Sequence, residues 1–124
     1  MDVIFTDREA DIMQVLWEQG PSTVAEVQTA LRDRLAYTTV LTVLRTLETK
    51  HYVGHQEEGR GHRYYSLIDS QLARNSALRH LTGKLFNGSA ELLLTHLVAD
   101  QGLTSEQVRR MRALLAEHDD GEQA

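Results

Sequence analysis

The chain contains no cysteine among its 124 residues. That absence excludes disulfides, thiolate metal sites, cysteine nucleophiles and thiol redox sensing. No run of about 18 apolar residues occurs, so no transmembrane helix is expected. The opening "MDVIFTDREAD" is acidic and lacks a basic stretch leading into an apolar one, which argues against a secretory signal and for a cytoplasmic protein. No G-x-G-x-x-G, P-loop, H-E-x-x-H or G-x-S-x-G motif is found, and no catalytic residue is nominated. His51 and His55 are four apart, but neither ligand type nor spacing matches a zinc pattern, so no metal and no cofactor is expected. Proline occurs once, and repeats and low-complexity segments are lacking.

What is present is the composition of a soluble globular chain, 41% apolar and 25% charged. The net charge of −5 speaks against nucleic acid only if it is spread evenly, because binding depends on where charge sits. It is not spread evenly. Residues 31–65 hold Arg32, Arg34, Arg45, Lys50, Arg60 and Arg63 against Asp33, Glu48, Glu57 and Glu58, and the acidic excess lies towards the two ends.

Thr6 with Glu9 and Thr23 with Glu26 form capping boxes, each the signature of a helix start. The first opens "DREADIMQVLWEQ", with Ala10, Met13, Leu16 and Trp17 at helical spacing, and Gly20-Pro21 stops it. The second opens "VAEVQTALRDRL", where Val24, Val27, Ala30 and Leu31 share a face. A short connection at Leu35-Ala36 leads to a third helix whose buried side is Val40, Val43, Leu44 and Leu47. After Lys50 the period changes. "HYVGHQ" and "HRYYSLI", on either side of "EEGRG", read as a β-hairpin. Three helices and a hairpin in this order predict a winged helix-turn-helix domain over residues 1–69.

Asp69-Ser70 marks the expected boundary. Residues 70–124 carry three further helical patterns, broken at Asn87-Gly88-Ser89 and at Gly102, with Thr104 and Gln107 capping the last. So short a region cannot bury a good core alone, yet it is rich in leucine. A second copy of the chain is the economical partner, and Leu85, Leu93, Leu97, Met111, Leu114 and Leu115 are the expected dimer contacts. The fold class expected is thus mainly α with a small β-hairpin, a winged helix followed by a three-helix dimerisation domain.

The third helix, "YTTVLTVLRTLET", devotes its polar face to threonine, a mediocre helix former. In a helix-turn-helix this element enters the major groove. There a threonine offers a hydroxyl to phosphate or base edges and a methyl to thymine. Thr38, Thr39, Thr42 and Arg45 form one surface, with Tyr37 at the helix start. The hairpin tip supplies Arg60, His62 and Arg63 as donors for phosphate or a narrow minor groove. Tyr37, Lys50, Arg60 and Arg63 are expected to position the protein on phosphates, and the threonines and Arg45 to read bases. The competing possibility is a winged helix that serves as a protein-interaction module and does not bind DNA.

The stretch from "TDREADIMQVLWEQG" through "AYTTVLTVLRTL" to "HRYYSLI" resembles the penicillinase-repressor (BlaI/MecI/CopY) family, and the similarity continues through "KLFNGSAELLLTHLVADQGLTSEQVRRMRALL". The resemblance implies a homodimeric transcriptional repressor of a palindromic double-stranded DNA operator. It also implies a membrane-bound zinc sensor-protease as a partner that releases the repressor by cleavage. The β-lactam-responsive members are cut at an Asn-Phe bond after the glycine break, where this chain reads His96-Leu97. The copper-responsive branch senses through a cysteine-rich tail, and this chain has no cysteine.

Overall fold

The computed structural model describes residues 2–123. Helix α1 (Asp7–Gln19) starts at Thr6, whose side chain accepts from the Glu9 N–H while Glu9 returns the bond to the Thr6 N–H. It ends at Gly20, where φ of 80° suits only a residue without a Cβ. Beyond Pro21 the chain forms a two-residue strand, β1 (Ser22–Thr23), which periodicity could not reveal at that length. Helix α2 (Val24–Ala30) begins in the predicted Thr23/Glu26 capping box but ends earlier than its pattern suggests. Residues 31–36 are extended or turned instead, held by Gln28 donating to the Leu35 carbonyl and by Arg8 pairing with Asp33 at 2.7 Å.

Helix α3 (Tyr37–Thr49) buries Val40, Leu44 and Leu47 and half-buries Val43. Its C-terminus shows why His51 is where it is. His51 takes φ of 68°, donates to the Glu48 carbonyl, and Tyr52 donates back to the Leu47 carbonyl. This is a Schellman closure in which buried Leu47 and Tyr52 provide the apolar contact. Strands β2 (Val53–Glu58) and β3 (Gly61–Ser66) pair antiparallel from Val53↔Ser66 to Glu58↔Gly61, and β1 joins the other edge of β3, giving the order β1-β3-β2. The wing turn is shorter than "EEGRG" suggested: Glu57 and Glu58 lie in β2, and only Gly59 (φ 61°) and Arg60 turn the chain. Gly59 at positive φ followed by Arg60 at negative φ is the type II′ arrangement. Gly54 is also constrained, since a Cβ there would lie 2.7 Å from the Tyr65 hydroxyl opposite it.

The core joins Val3, Ile12, Met13, Leu16, Val27, Val40, Leu44, Leu47, Val53 and Tyr64. Ala10 faces out, because Ile12 and Val15 take the inward positions of α1. Trp17 is half-buried; its indole N–H donates to the Ile68 carbonyl and the Ser66 hydroxyl, pinning the end of β3 to α1.

Helices α4 (Ser70–Leu85), α5 (Ala90–Asp100) and α6 (Ser105–Gln123) follow. The chain divides into two compact units between His80 and Leu81, within α4, where the sequence suggested Asp69-Ser70. The first turns of α4 belong to the first unit. Ala73 packs in its core, and buried Ser76 accepts from the Val3 N–H at 2.7 Å. In the second unit, Asn87 (φ 50°) and Gly88 (φ 73°) end α4, Ser89 caps α5, and Thr104 and Gln107 cap α6 reciprocally. Among the described residues nothing after Ser76 is buried. No helix of the described residues is long and apolar enough to cross a membrane.

Candidate nucleic-acid interface

The apolar stripe of α3 faces the core, and this turns Tyr37, Thr38, Thr39, Thr42 and Arg45 outwards, all of them exposed. Ala36, the N-cap residue, provides no side-chain hydrogen bond to the first turn. The backbone N–H groups there are left pointing outwards beside the two threonines, an arrangement that favours an anion.

The threonines fall into two kinds. Thr42 donates its hydroxyl to the Thr38 carbonyl (2.8 Å), Thr46 to the Thr42 carbonyl (3.0 Å) and Thr49 to the Arg45 carbonyl (3.0 Å). Their protons are committed to the helix, so outwardly they present a methyl group and an oxygen that can only accept. Thr38 and Thr39 have no such bond among the described residues and keep a hydroxyl free to donate to phosphate. Arg45 lies beside the hydroxyl of Tyr64, whose phenol is pushed above its ordinary value by burial and then by the Glu48 carboxylate, with Arg45 opposing.

The basic residues separate as well. Arg60 stands exposed at the tip of the wing turn. Arg63 is bound along the wing: it meets Glu58 at 2.9 Å and Glu26 at 3.1 Å and donates to the Pro21 carbonyl. The hydrogen bond it donates to Glu58, then the charges of Glu26 and Glu58, hold its guanidinium more firmly protonated than usual. Lys50 reaches back to Glu9, its Nζ 2.8 Å from Oε2 of that buried carboxylate. His62 is turned inwards on β3, half-buried, with its ring 4.4 Å from that of His55. The structure therefore brings Tyr37, Thr38, Thr39, Thr42 and Arg45 together, adds Arg60 at the tip, and gives Lys50, His62 and Arg63 intramolecular partners or surroundings.

Sequence reasoning missed Glu48, His55 and Tyr64, which line the junction of α3 with the wing. The period-2 alternation of His62 and Tyr64, set against His55 on the facing strand, was the available signal.

In the second unit Leu85, Leu97, Leu114 and Leu115 are exposed, Leu85 at 73% and Leu114 at 65%, while Leu93 and Met111 are half-buried. His96 and Leu97 lie in the middle of α5, the His96 ring packed 5.4 Å from that of Phe86.

Comparison with known proteins agrees with this architecture. The chain is similar in fold to a MarR family protein from Bacillus stearothermophilus (TM-score 0.56, 14% identity, 98% of this chain and 78% of that one). It is similar also to the transcriptional regulator Tm0710 from Thermotoga maritima (TM-score 0.52, 18% identity, 95% and 76%). These likenesses identify a winged helix. In sequence it is 34% identical over 119 residues to the transcriptional regulator BlaI of Mycobacterium tuberculosis, strains CDC 1551 and H37Rv, covering 93% of this chain and 85% of the relative. A sequence model described as "Penicillinase repressor" matches residues 5–117. The chain belongs to the penicillinase repressor family.

Proposed function

We propose that this protein is a DNA-binding transcriptional repressor that acts as a homodimer on a palindromic operator. The observation that carries the proposal is the exposed strip of α3, with an uncapped N-terminus, two threonines free to donate, Thr42 and Arg45 one and two turns on, and Arg60 on the adjoining wing. Thr38, Thr39, Tyr37 and Arg60 suit phosphate oxygens, and Thr42 and Arg45 suit base edges in the major groove. The exposed leucines of the second unit support a dimer, for apolar side chains so placed are rarely left to water. A two-fold dimer would place its two α3 helices in major grooves about 34 Å apart or a multiple of that.

Release by a membrane-bound zinc sensor-protease at His96-Leu97 would require α5 to unwind locally, because that bond lies inside a regular helix. The experiment that tests the repressor is an anisotropy titration with DNA from upstream of the protein's own gene and with random DNA, at two salt concentrations. Preferential binding by a dimer, falling steeply with salt, is the expected result. Equal binding to both DNAs, or none at low salt, would return the exposed face of α3 to a protein partner.

A further inference from the structure

The outer half of the wing has little apolar support. From His55 to Glu58 every residue of β2 is exposed; β1 backs β3 only at Tyr64 and Arg63, and the two-stranded ribbon beyond them is marginal in water. Strand β3 is held by Arg45 at the Tyr64 hydroxyl and by Arg63 at Glu26 and the Pro21 carbonyl; among the described residues one polar side-chain contact joins β2 to α3. His55 Nδ1 meets Glu48 Oε2 across the junction, with both side chains one-third exposed. His55 stands in register opposite Tyr64, and its ring lies edge-on to that of His62, at 4.4 Å and 84°. His62 Nδ1 is buried without a hydrogen-bond partner among the described residues. The other titratable or charged groups near this junction are Arg45 and Tyr37 of α3, which act on the Tyr64 phenol, and Glu57, in register opposite His62.

The chemistry of the two imidazoles differs. A bare Nδ1 on His55 would set a lone pair against the carboxylate, so the contact requires a proton on that nitrogen. With Nε2 protonated as well, the contact becomes an ion pair and is stronger. His62 is arranged the other way. A buried N–H with no acceptor costs more than a buried lone pair, so the neutral ring keeps its proton on Nε2.

We propose that Glu48 and His55 are positioning residues for DNA binding: their contact holds the wing, and with it Arg60, at a set distance from the α3 surface. The proposal rests on the DNA-binding role of α3 and the wing. An arm held in place before binding loses less conformational freedom when it binds, which is how such a contact raises affinity without touching the ligand.

The test uses the full chain and the same two DNAs. Glu48→Ala, which takes the partner from His55, should weaken binding roughly threefold, the share of a hydrogen bond to a charged group left at one-third exposure. Glu48→Gln keeps an acceptor and removes the charge, so it should fall between Glu48→Ala and the unmodified chain. His55→Asn keeps a donor near the Nδ1 position, so it should still let Arg60→Ala lower the affinity. His55→Ala should make Arg60→Ala cost less, while the Trp17 fluorescence and unfolding midpoint of each variant report on its folding. If Glu48→Ala binds as tightly as the unmodified chain, the positioning role fails. If Arg60→Ala costs the same with and without His55, the wing is not held by this contact. Binding by the unmodified chain with all variants equal to it overturns this proposal alone, whereas no DNA binding by the unmodified chain overturns the repressor and this proposal together.

Discussion

Replacing Lys50 with methionine separates two roles for the same side chain. In the structure its ammonium lies 2.8 Å from Glu9 Oε2, and the Glu9 side chain is 3% exposed against 40% for Lys50. Without Lys50 the carboxylate keeps the Thr6 N–H at 2.8 Å but loses its cation. Stripping one partner from a fully buried pair costs about 3–5 kcal/mol. Water reaches Lys50, so the expected loss is about 2 kcal/mol. Trp17 is the sole tryptophan and lies in the same unit, so its fluorescence during urea unfolding reads this loss directly. The pH dependence has a definite sign. Burial would raise the Glu9 pKa, but the Lys50 hydrogen bond and the Thr6 N–H outweigh it and bring it below the ordinary glutamate value. A depressed folded-state pKa means that the stabilisation is complete above the unfolded value of about 4.3 and is lost as pH falls through the folded one. The gap between the variant and the unmodified protein should therefore close in acid. Adding Glu9→Gln to Lys50→Met should recover much of the loss at neutral pH. The salt dependence of DNA binding should not change. An unaltered unfolding midpoint, together with a salt slope reduced by about one, would refute this account and make Lys50 a phosphate contact.

Arg60→Ala should lower the salt slope by about one on operator and random DNA alike, whereas Arg63→Ala should leave the slope intact and slightly lower the unfolding midpoint. The reverse pattern in the two titrations would exchange their roles. Thr42→Ser should lose more operator affinity than Thr42→Val, because the hydroxyl proton is committed to the Thr38 carbonyl and the methyl faces outwards. The opposite ranking would identify the hydroxyl as the contact. On the proposed dimer, Leu114→Asp should give the monomer mass by light scattering where the unmodified chain gives twice that, and equal masses would remove α6 from the proposed contacts. Gly54→Ala should destabilise the wing by about 1–2 kcal/mol by displacing the Tyr65 ring, and the cost should nearly vanish when Tyr65→Ala is present.

What could be read from the sequence was what depends on neighbours along the chain. The capping boxes at Thr6, Thr23 and Thr104, the stripe of Val40, Leu44 and Leu47, and the hairpin after His51 all follow from local hydrogen bonding and from the periods of helix and strand. These were enough to place Thr38, Thr39, Thr42 and Arg45 on one exposed face. Element ends were less legible. The last turn expected of α2 is absent: Leu31 turns to extended backbone, and partners outside the local pattern, Gln28 on the Leu35 carbonyl and Arg8 on Asp33, meet residues 31–36 there.

Only the tertiary structure decided which cations were free. Lys50, Arg60 and Arg63 have the same charge and a similar place in the sequence pattern, yet Glu9 takes the first, Glu26 and Glu58 take the third, and Arg60 is left at the tip. The proton of Thr42 was settled locally, but by a helix carbonyl rather than by anything the residue type declares. The same holds for His62, which looks like a surface donor in the string "GRGHRYY" and is turned inwards by the register of β3 against β2. The physical reason is common to all of them. A charged or hydrogen-bonding group is committed by whatever partner folding brings within about 3 Å, and for long-range partners that distance is not written in the spacing of the chain.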